Sequence, residues 1–120
     1  MPADRAMRVV FSPAALTDLH AIIAFRVDQR GEDAGHALLD ALTDKCAALR
    51  DFPNRGAHPK ELHGQGEGGV RQIVSGPYLI IYDVDDIEVL IVLIADGRRD
   101  MQRLLRDRLT KGAGIAAPGD

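Results

Sequence analysis

Cysteine is nearly absent from this 120-residue sequence: Cys46 is the only one. An internal disulfide is therefore impossible, and with it the stapled scaffold of a small secreted domain. Cys46 sits in an apolar helical pattern and is expected to be a small buried filler rather than a reactive thiol. Long hydrophobic runs are also missing. The longest, residues 89–95, is far too short to cross a bilayer as a helix. Arg5 and Arg8 are not followed by the apolar stretch and cleavage pattern of a secretion signal. The expectation is a cytoplasmic protein with no membrane contact.

Basic charge is in short supply. The formal net charge is -3, which argues against a general nucleic-acid coat, because non-specific phosphate binding is driven by basic charge. The distribution is uneven. Residues 96–111 hold six basic and three acidic side chains, so a basic C-terminal segment stands on an acidic body. The motifs of nucleotide chemistry are lacking as well. No P-loop or dinucleotide fingerprint occurs, and the glycines at 64, 66, 68 and 69 follow no strand. His20 and His36 fall on separate helices. His58 and His63 share a loop with Glu61 but have no third well-spaced ligand, so no metal and no cofactor are predicted. A serine triad has no support, since Ser12 is placed to cap a helix and Ser75 ends a strand, neither with a histidine nearby in sequence.

What is present is 46% apolar and 28% charged, the make-up of one globular domain. Residues 7–11 are apolar and β-branched, and read as a strand. Ser12 and Pro13 then open a helix, serine as cap and proline at the first turn, where its missing N–H is not needed. Leu16, Leu19, Ile22 and Ile23 recur at helical spacing until Arg30 and Gly31. A second helix is predicted to start near Asp33 as its cap. Ala34, Ala37, Leu38, Ala41, Leu42, Cys46 and Leu49 form its stripe, whose small residues suggest a tight antiparallel helical hairpin. It stops before Phe52 and Pro53.

Residues 54–69 form a loop long enough to be functional or mobile. Three strands follow at 70–75, 78–84 and 87–95. The last is apolar on both faces, with Leu90, Val92 and Ile94 opposite Val89, Ile91 and Leu93, as a centrally placed strand would be. Residues 98–109 read as a short amphipathic helix with Met101, Leu104, Leu105 and Leu109 on one side. The expected fold is α+β: an N-terminal strand, an antiparallel helical hairpin, a three-stranded antiparallel meander and a short C-terminal helix. It forms one domain over residues 1–111, with 112–120 as a disordered tail. Leu19, Ile22, Leu38, Leu42, Tyr82 and Ile91 are the expected core. The second apolar side of the last strand needs a cover, in part the C-terminal helix and in part a partner protein.

Among polar residues, Arg71 begins a strand after the long loop. It is either an exposed strand arginine or a carboxylate fork at the rim of the sheet. Arg98 and Arg99 follow the last strand directly. They either neutralise a phosphate or an acidic partner peptide, or simply begin a solvated helix face.

Four segments in order carry a resemblance. VVFSPAALTDLHAI joins a strand to a Ser-Pro helix start with Asp-Leu inside it. LRDFPNRGAHPKEL gives a helix end, a Pro-x-x-Gly loop and Glu-Leu. GVRQIVSGPYLIIYDV holds Val-Arg, Gly-Pro-Tyr and Ile-x-Tyr, and IEVLIVLIADGRRD ends in Gly-Arg-Arg-Asp. The sequence resembles the RelE/ParE superfamily of type II toxins, and within it the ParE-like branch. The resemblance implies a helical hairpin on an antiparallel sheet, a toxin neutralised by a cognate antitoxin that wraps it, and DNA gyrase as the target. DNA is then contacted only through the antitoxin complex. Arg71, Arg98, Arg99, Arg103, Leu90 and Val92 are the expected partner-binding residues, and no catalytic residue is assigned.

The alternatives are a ribosome-dependent mRNA endonuclease of RelE type and a degenerate, non-toxic antitoxin-binding member. The nucleases commonly have a histidine where this chain has Asp96, and an aspartate's ordinary pKa is far too low for acid–base work at neutral pH. The closing segment also lacks their tyrosine. Both departures favour a binding inhibitor over an enzyme.

Overall fold

The computed structural model describes residues 7–59 and 70–112. Its elements are β1 (Arg8–Phe11), α1 (Pro13–Arg30), α2 (Glu32–Ala47) with a 3-10 turn (Ala48–Arg50), β2 (Val70–Ser75), β3 (Tyr78–Val84), β4 (Glu88–Asp96) and α3 (Met101–Asp107), which runs on as a π-helical turn (Arg108–Gly112). The expected α+β order holds throughout. His63, Glu61 and the glycines at 64, 66, 68 and 69 lie outside the described residues, as does the expected tail beyond residue 112.

Local chemistry sets the helix starts. The Ser12 hydroxyl accepts the Ala15 N–H at 3.0 Å, and Pro13 opens α1. α2 starts differently from expectation. Its N-cap is Gly31 at φ 93, a backbone conformation that favours glycine, while Glu32 and Asp33 lie in the first turn and meet the positive end of the helix dipole. The turn between α1 and α2 is too tight to leave Asp33 outside the helix.

The hairpin is close-packed as predicted, but the small residue that permits it is not one of the alanines. A Cβ on Gly35 would stand 2.3 Å from Val27 Cγ2, whereas Ala37 and Ala41 are exposed. Period counting placed the stripe slightly off-axis. α2 also packs through Leu39, and its buried Gly35 lies against Val27 and Ile23 of α1.

The sheet has strand order β1-β4-β3-β2. β2, β3 and β4 form the antiparallel meander, and β1 adds parallel to β4, pairing Arg8–Phe11 with residues 88–91. Gly76, at φ 60, and Pro77 make the two-residue turn of the first hairpin. The Asp85 carboxylate accepts the N–H groups of Ile87 and Glu88 in the second.

Two apolar layers result. Ala15, Leu19, Leu42, Cys46, Leu49, Ile80, Tyr82, Val89, Ile91 and Ile94 fill the space between hairpin and sheet, with Ile22 and Leu38 packed at the margin. All six expected core residues are therefore in this layer. Val70, Ile81, Leu93, Ala95, Met101 and Leu105 form the second layer, beneath α3 on the other face.

β4 departs from simple alternation. Ile81 pairs with Leu93 but Tyr82 pairs with Ile91, so Val92 is an extra residue in a bulge. The bulge resets the pleat. Ile94 joins Val89 and Ile91 on the hairpin face, while Leu93 and Ala95 turn to the α3 face, the reverse of what strict period two predicted. The strand begins at Glu88, because Ile87 belongs to the turn. α3 begins only at Met101, capped by the Asp100 carboxylate on Arg103 N–H at 3.1 Å. Arg98 and Arg99 thus lie in the connecting turn and not on the helix.

Candidate functional site

β4 has nine residues, and β1 covers only the first four of them. The ladder ends where Ser12 N–H donates to the Ile91 carbonyl at 2.9 Å, after which the chain lifts into α1. The strand edge beyond is managed by side chains. Arg108 donates to the Val92 carbonyl at 2.7 Å, and the Asp18 carboxylate accepts the Ile94 N–H at 3.0 Å. Asp18 and Arg108 also pair with each other through two bonds of 2.7 and 3.0 Å. One ion pair therefore satisfies two edge groups of the bulged strand and ties the π-helical turn to α1. Bidentate arginine suits this position because its planar fork serves a carboxylate and a carbonyl together.

Next to this clamp lies an open groove of about 710 Å³ between the second half of α1 and the end of β4. Ile22 and Phe25 give it an apolar wall, and Pro77 and Tyr78 of the hairpin turn form one rim. Phe25 is 66% exposed, a large apolar surface for a residue in a helix middle. Four arginines line the groove, Arg26, Arg30, Arg98 and Arg99, against Asp18 and Asp96. Both carboxylates are already engaged. Asp96 accepts from Arg98 Nε at 2.9 Å, Arg98 Nη2 at 2.6 Å and the Arg98 backbone N–H at 2.9 Å. These bonds hold the Asp96 carboxyl down to about 2. At neutral pH it is a fixed anion, not a proton donor. Arg26, Arg30 and Arg99 make no ion pair among the described residues.

The sequence-derived residues do not converge on one spot. Arg98 and Arg99 line the groove. Arg103 stands on the exposed side of α3, 4.0 Å from Asp107. Leu90 and Val92 are half-buried on the α3 face of the sheet. Arg71 is at the far end of the sheet, on β2, where it donates to the carbonyls of Gly56 at 2.7 Å and Asn54 at 3.3 Å. There it fastens the start of the long loop. Tyr82, wholly buried, accepts the Gly56 N–H at 3.0 Å, and Ala57 bridges Gln72. His58 Nδ1 lies 2.8 Å from the Val70 carbonyl.

Sequence reasoning missed Asp18, Arg26, Arg30 and Arg108. Asp18 and Arg108 are 90 residues apart, and no local pattern pairs them. Among the described residues no three His, Cys, Asp or Glu side chains converge as a metal site, and no helix is long and apolar enough to cross a membrane.

A family model described as the ParE toxin of the type II toxin–antitoxin system, parDE, matches residues 9–101. The chain belongs to this ParE toxin family. The match runs from β1 through the groove to the first residue of α3, so every groove residue falls inside it. A solved structure, the chromosomal ParDE TA system from P. aeruginosa, is similar in fold. Its TM-score is 0.65 at 23% identity, covering 77% of this chain and 97% of that one. No curated protein matches. The ParE assignment accounts for the helical hairpin on the antiparallel sheet.

Proposed function

We propose that this ParE-family chain is the toxin of a toxin–antitoxin pair, that it inhibits DNA gyrase by binding it without chemistry of its own, and that a cognate antitoxin neutralises it. The observation that carries the reading is the state of Asp96. Cleavage of RNA would need a group at the rim of the sheet able to move a proton near neutral pH. The residue in that position is a carboxylate held down to about 2 by three bonds from Arg98. What surrounds it is an open, arginine-lined groove beside an exposed phenylalanine, the composition of a protein-docking surface. Arg98, Arg99 and Arg103 are proposed to contact partners there, and Leu90 and Val92 on the α3 face. Arg71 is proposed to act at the opposite end of the sheet, through the loop segment it fastens.

Controlled expression with two readouts tests the reading. Inhibited supercoiling and accumulated gyrase cleavage complexes, lost on changing Arg98 and Arg99 together, are the expected result. Cut mRNA on translating ribosomes with normal gyrase activity would overturn it in favour of a nuclease. Neither effect at any expression level would identify a non-toxic member.

A further inference from the structure

The groove beside the clamp holds cations and an aromatic ring that the fold itself does not employ. Asp96 is neutralised by Arg98, and Asp18 by Arg108. The charge left over is that of Arg26, Arg30 and Arg99, which make no ion pair among the described residues. Arg30 stands in the last turn of α1, where a cation also answers the negative end of the helix dipole. Arg26 and Arg99 have no such role. Ile22, Arg26 and Arg30 form one line on α1 at four-residue spacing, and Phe25 and Gln29 form a second beside it. Arg99 reaches the same groove from the turn between β4 and α3. Phe25 is 66% exposed. Arg55 stacks on Phe52 at 5.5 Å, but no arginine stacks on Phe25 among the described residues, so that ring keeps an open face.

We propose that this groove binds a nucleoside polyphosphate, with the base on Phe25 and the phosphates between Arg26, Arg30 and Arg99. Planar guanidinium groups meet phosphate oxygens through paired N–H donors, and a bound phosphate relieves the mutual repulsion of three unpaired cations. Stacking on an aromatic face holds a nucleobase without reading its identity. Gln29, one turn on from Phe25, places an amide beside that ring, where it can meet a base edge. The volume of about 710 Å³ is that of a small-molecule site, which spans about 300–1,000 Å³. A nucleic-acid strand fits less well. Its backbone would run on past the groove over a chain of net charge -3, while a single nucleotide stays within the cationic part. Of the three cations only Arg99 is shared with the partner contacts proposed above, and the site stands whether or not the chain inhibits gyrase.

The test is an NMR titration of the full chain, labelled with nitrogen-15, with adenosine triphosphate up to millimolar. It is run at about 0.15 M salt, which screens diffuse attraction. Adenosine, inorganic triphosphate and a short single-stranded DNA are titrated beside it. The expected result is shifts centred on the amides of Phe25, Arg26, Arg30 and Arg99, tighter binding of the nucleotide than of inorganic triphosphate, and no binding of adenosine. Arg26→Gln and Arg99→Gln should each weaken nucleotide binding roughly tenfold. Phe25→Ala should weaken it roughly fivefold or more while leaving inorganic triphosphate unchanged. An amide spectrum unchanged away from the groove verifies that each variant is folded. Arg106→Gln, the same loss of charge on the exposed side of α3, should leave the affinity as it is. The proposal is overturned by no shifts at millimolar nucleotide, by shifts centred elsewhere, or by an Arg106→Gln loss equal to that of Arg26→Gln. Equal affinity for nucleotide and inorganic triphosphate would also overturn it, leaving only an anion site. Tighter binding of the DNA would overturn it in favour of a nucleic-acid surface.

Discussion

Replacing Arg108 by methionine keeps most of the side-chain length and removes the fork. It leaves the Asp18 carboxylate, 16% exposed, without its cation, and the Val92 carbonyl without its donor. Removing one partner of a fully buried ion pair costs about 3–5 kcal/mol. Here Arg108 is 21% exposed, so water reaches the site and replaces part of what is lost. Against this, an orphaned strand carbonyl adds its own desolvation cost of about 1 kcal/mol or more. The expected loss is about 2–4 kcal/mol.

Asp18→Asn should cost less, about 1–2 kcal/mol, because the amide oxygen still accepts the Ile94 N–H while the charge is gone. The double variant should cost less than the two singles together, since neither charge is then stranded. Urea melts of the four proteins give the cycle. Hydrogen exchange at Ile94 and in the Arg108–Gly112 turn reports whether the strand edge opens locally. Single costs below about 0.5 kcal/mol, or strict additivity, would refute the argument, because they would mean the pair is a solvated surface contact.

Gly56→Ala places a Cβ 2.5 Å from the Gln72 carbonyl oxygen and 2.7 Å from the Tyr82 hydroxyl, so it should cost about 1–3 kcal/mol by crowding and speed exchange at the Ala57 and Gln72 amides; wild-type melting with unchanged exchange would contradict this. The Asp96 carboxyl, held down to about 2, should stay ionised in carbon-detected titrations until well below the ordinary carboxylate range, and Arg98→Gln should return it towards that range. The sign follows from a folded-state pKa below the unfolded one: whatever stability the pair contributes is complete above about pH 4 and lost as pH falls towards about 2. Burial pushes the Cys46 thiol up to about 12, so alkylation of the folded protein at neutral pH should track global unfolding, and rapid labelling without denaturant would remove Cys46 from the core.

The sequence by itself determined the order of elements, because the signals for that order are local. Ser12 and Pro13 favour a helix start, Gly76 and Pro77 turn a hairpin, and the helical spacing of Leu16, Leu19, Ile22 and Ile23 and the apolar runs between turns name their own elements. It also determined the core, since a residue apolar on the inner side of its helix or strand has one place to go, as Leu42, Tyr82 and Ile91 do. Even the helix-two error was small. The close approach was legible as small residues, and only the choice of Gly35 over the alanines needed the contact with Val27 of the other helix.

Tertiary structure alone decided the rest, because these features depend on partners distant in sequence. The bulge at Val92 reversed which side chains of β4 share a face, and nothing in a uniformly apolar run marks such a slip. Asp18 stood in the sequence only as the aspartate of an Asp-Leu step in the first helix, and Arg108 as one of six basic residues near the end. They became a pair only when β1 stopped short of the end of β4 and left two backbone groups in need of a donor and an acceptor. Arg71 and Arg98 looked equivalent as arginines at strand ends. The fold spent one on loop carbonyls and the other on Asp96, and it left Arg26, Arg30 and Arg99 around the groove. Periodicity reads what a chain does to itself over a few residues, and the groove is made where elements remote in sequence end at different heights.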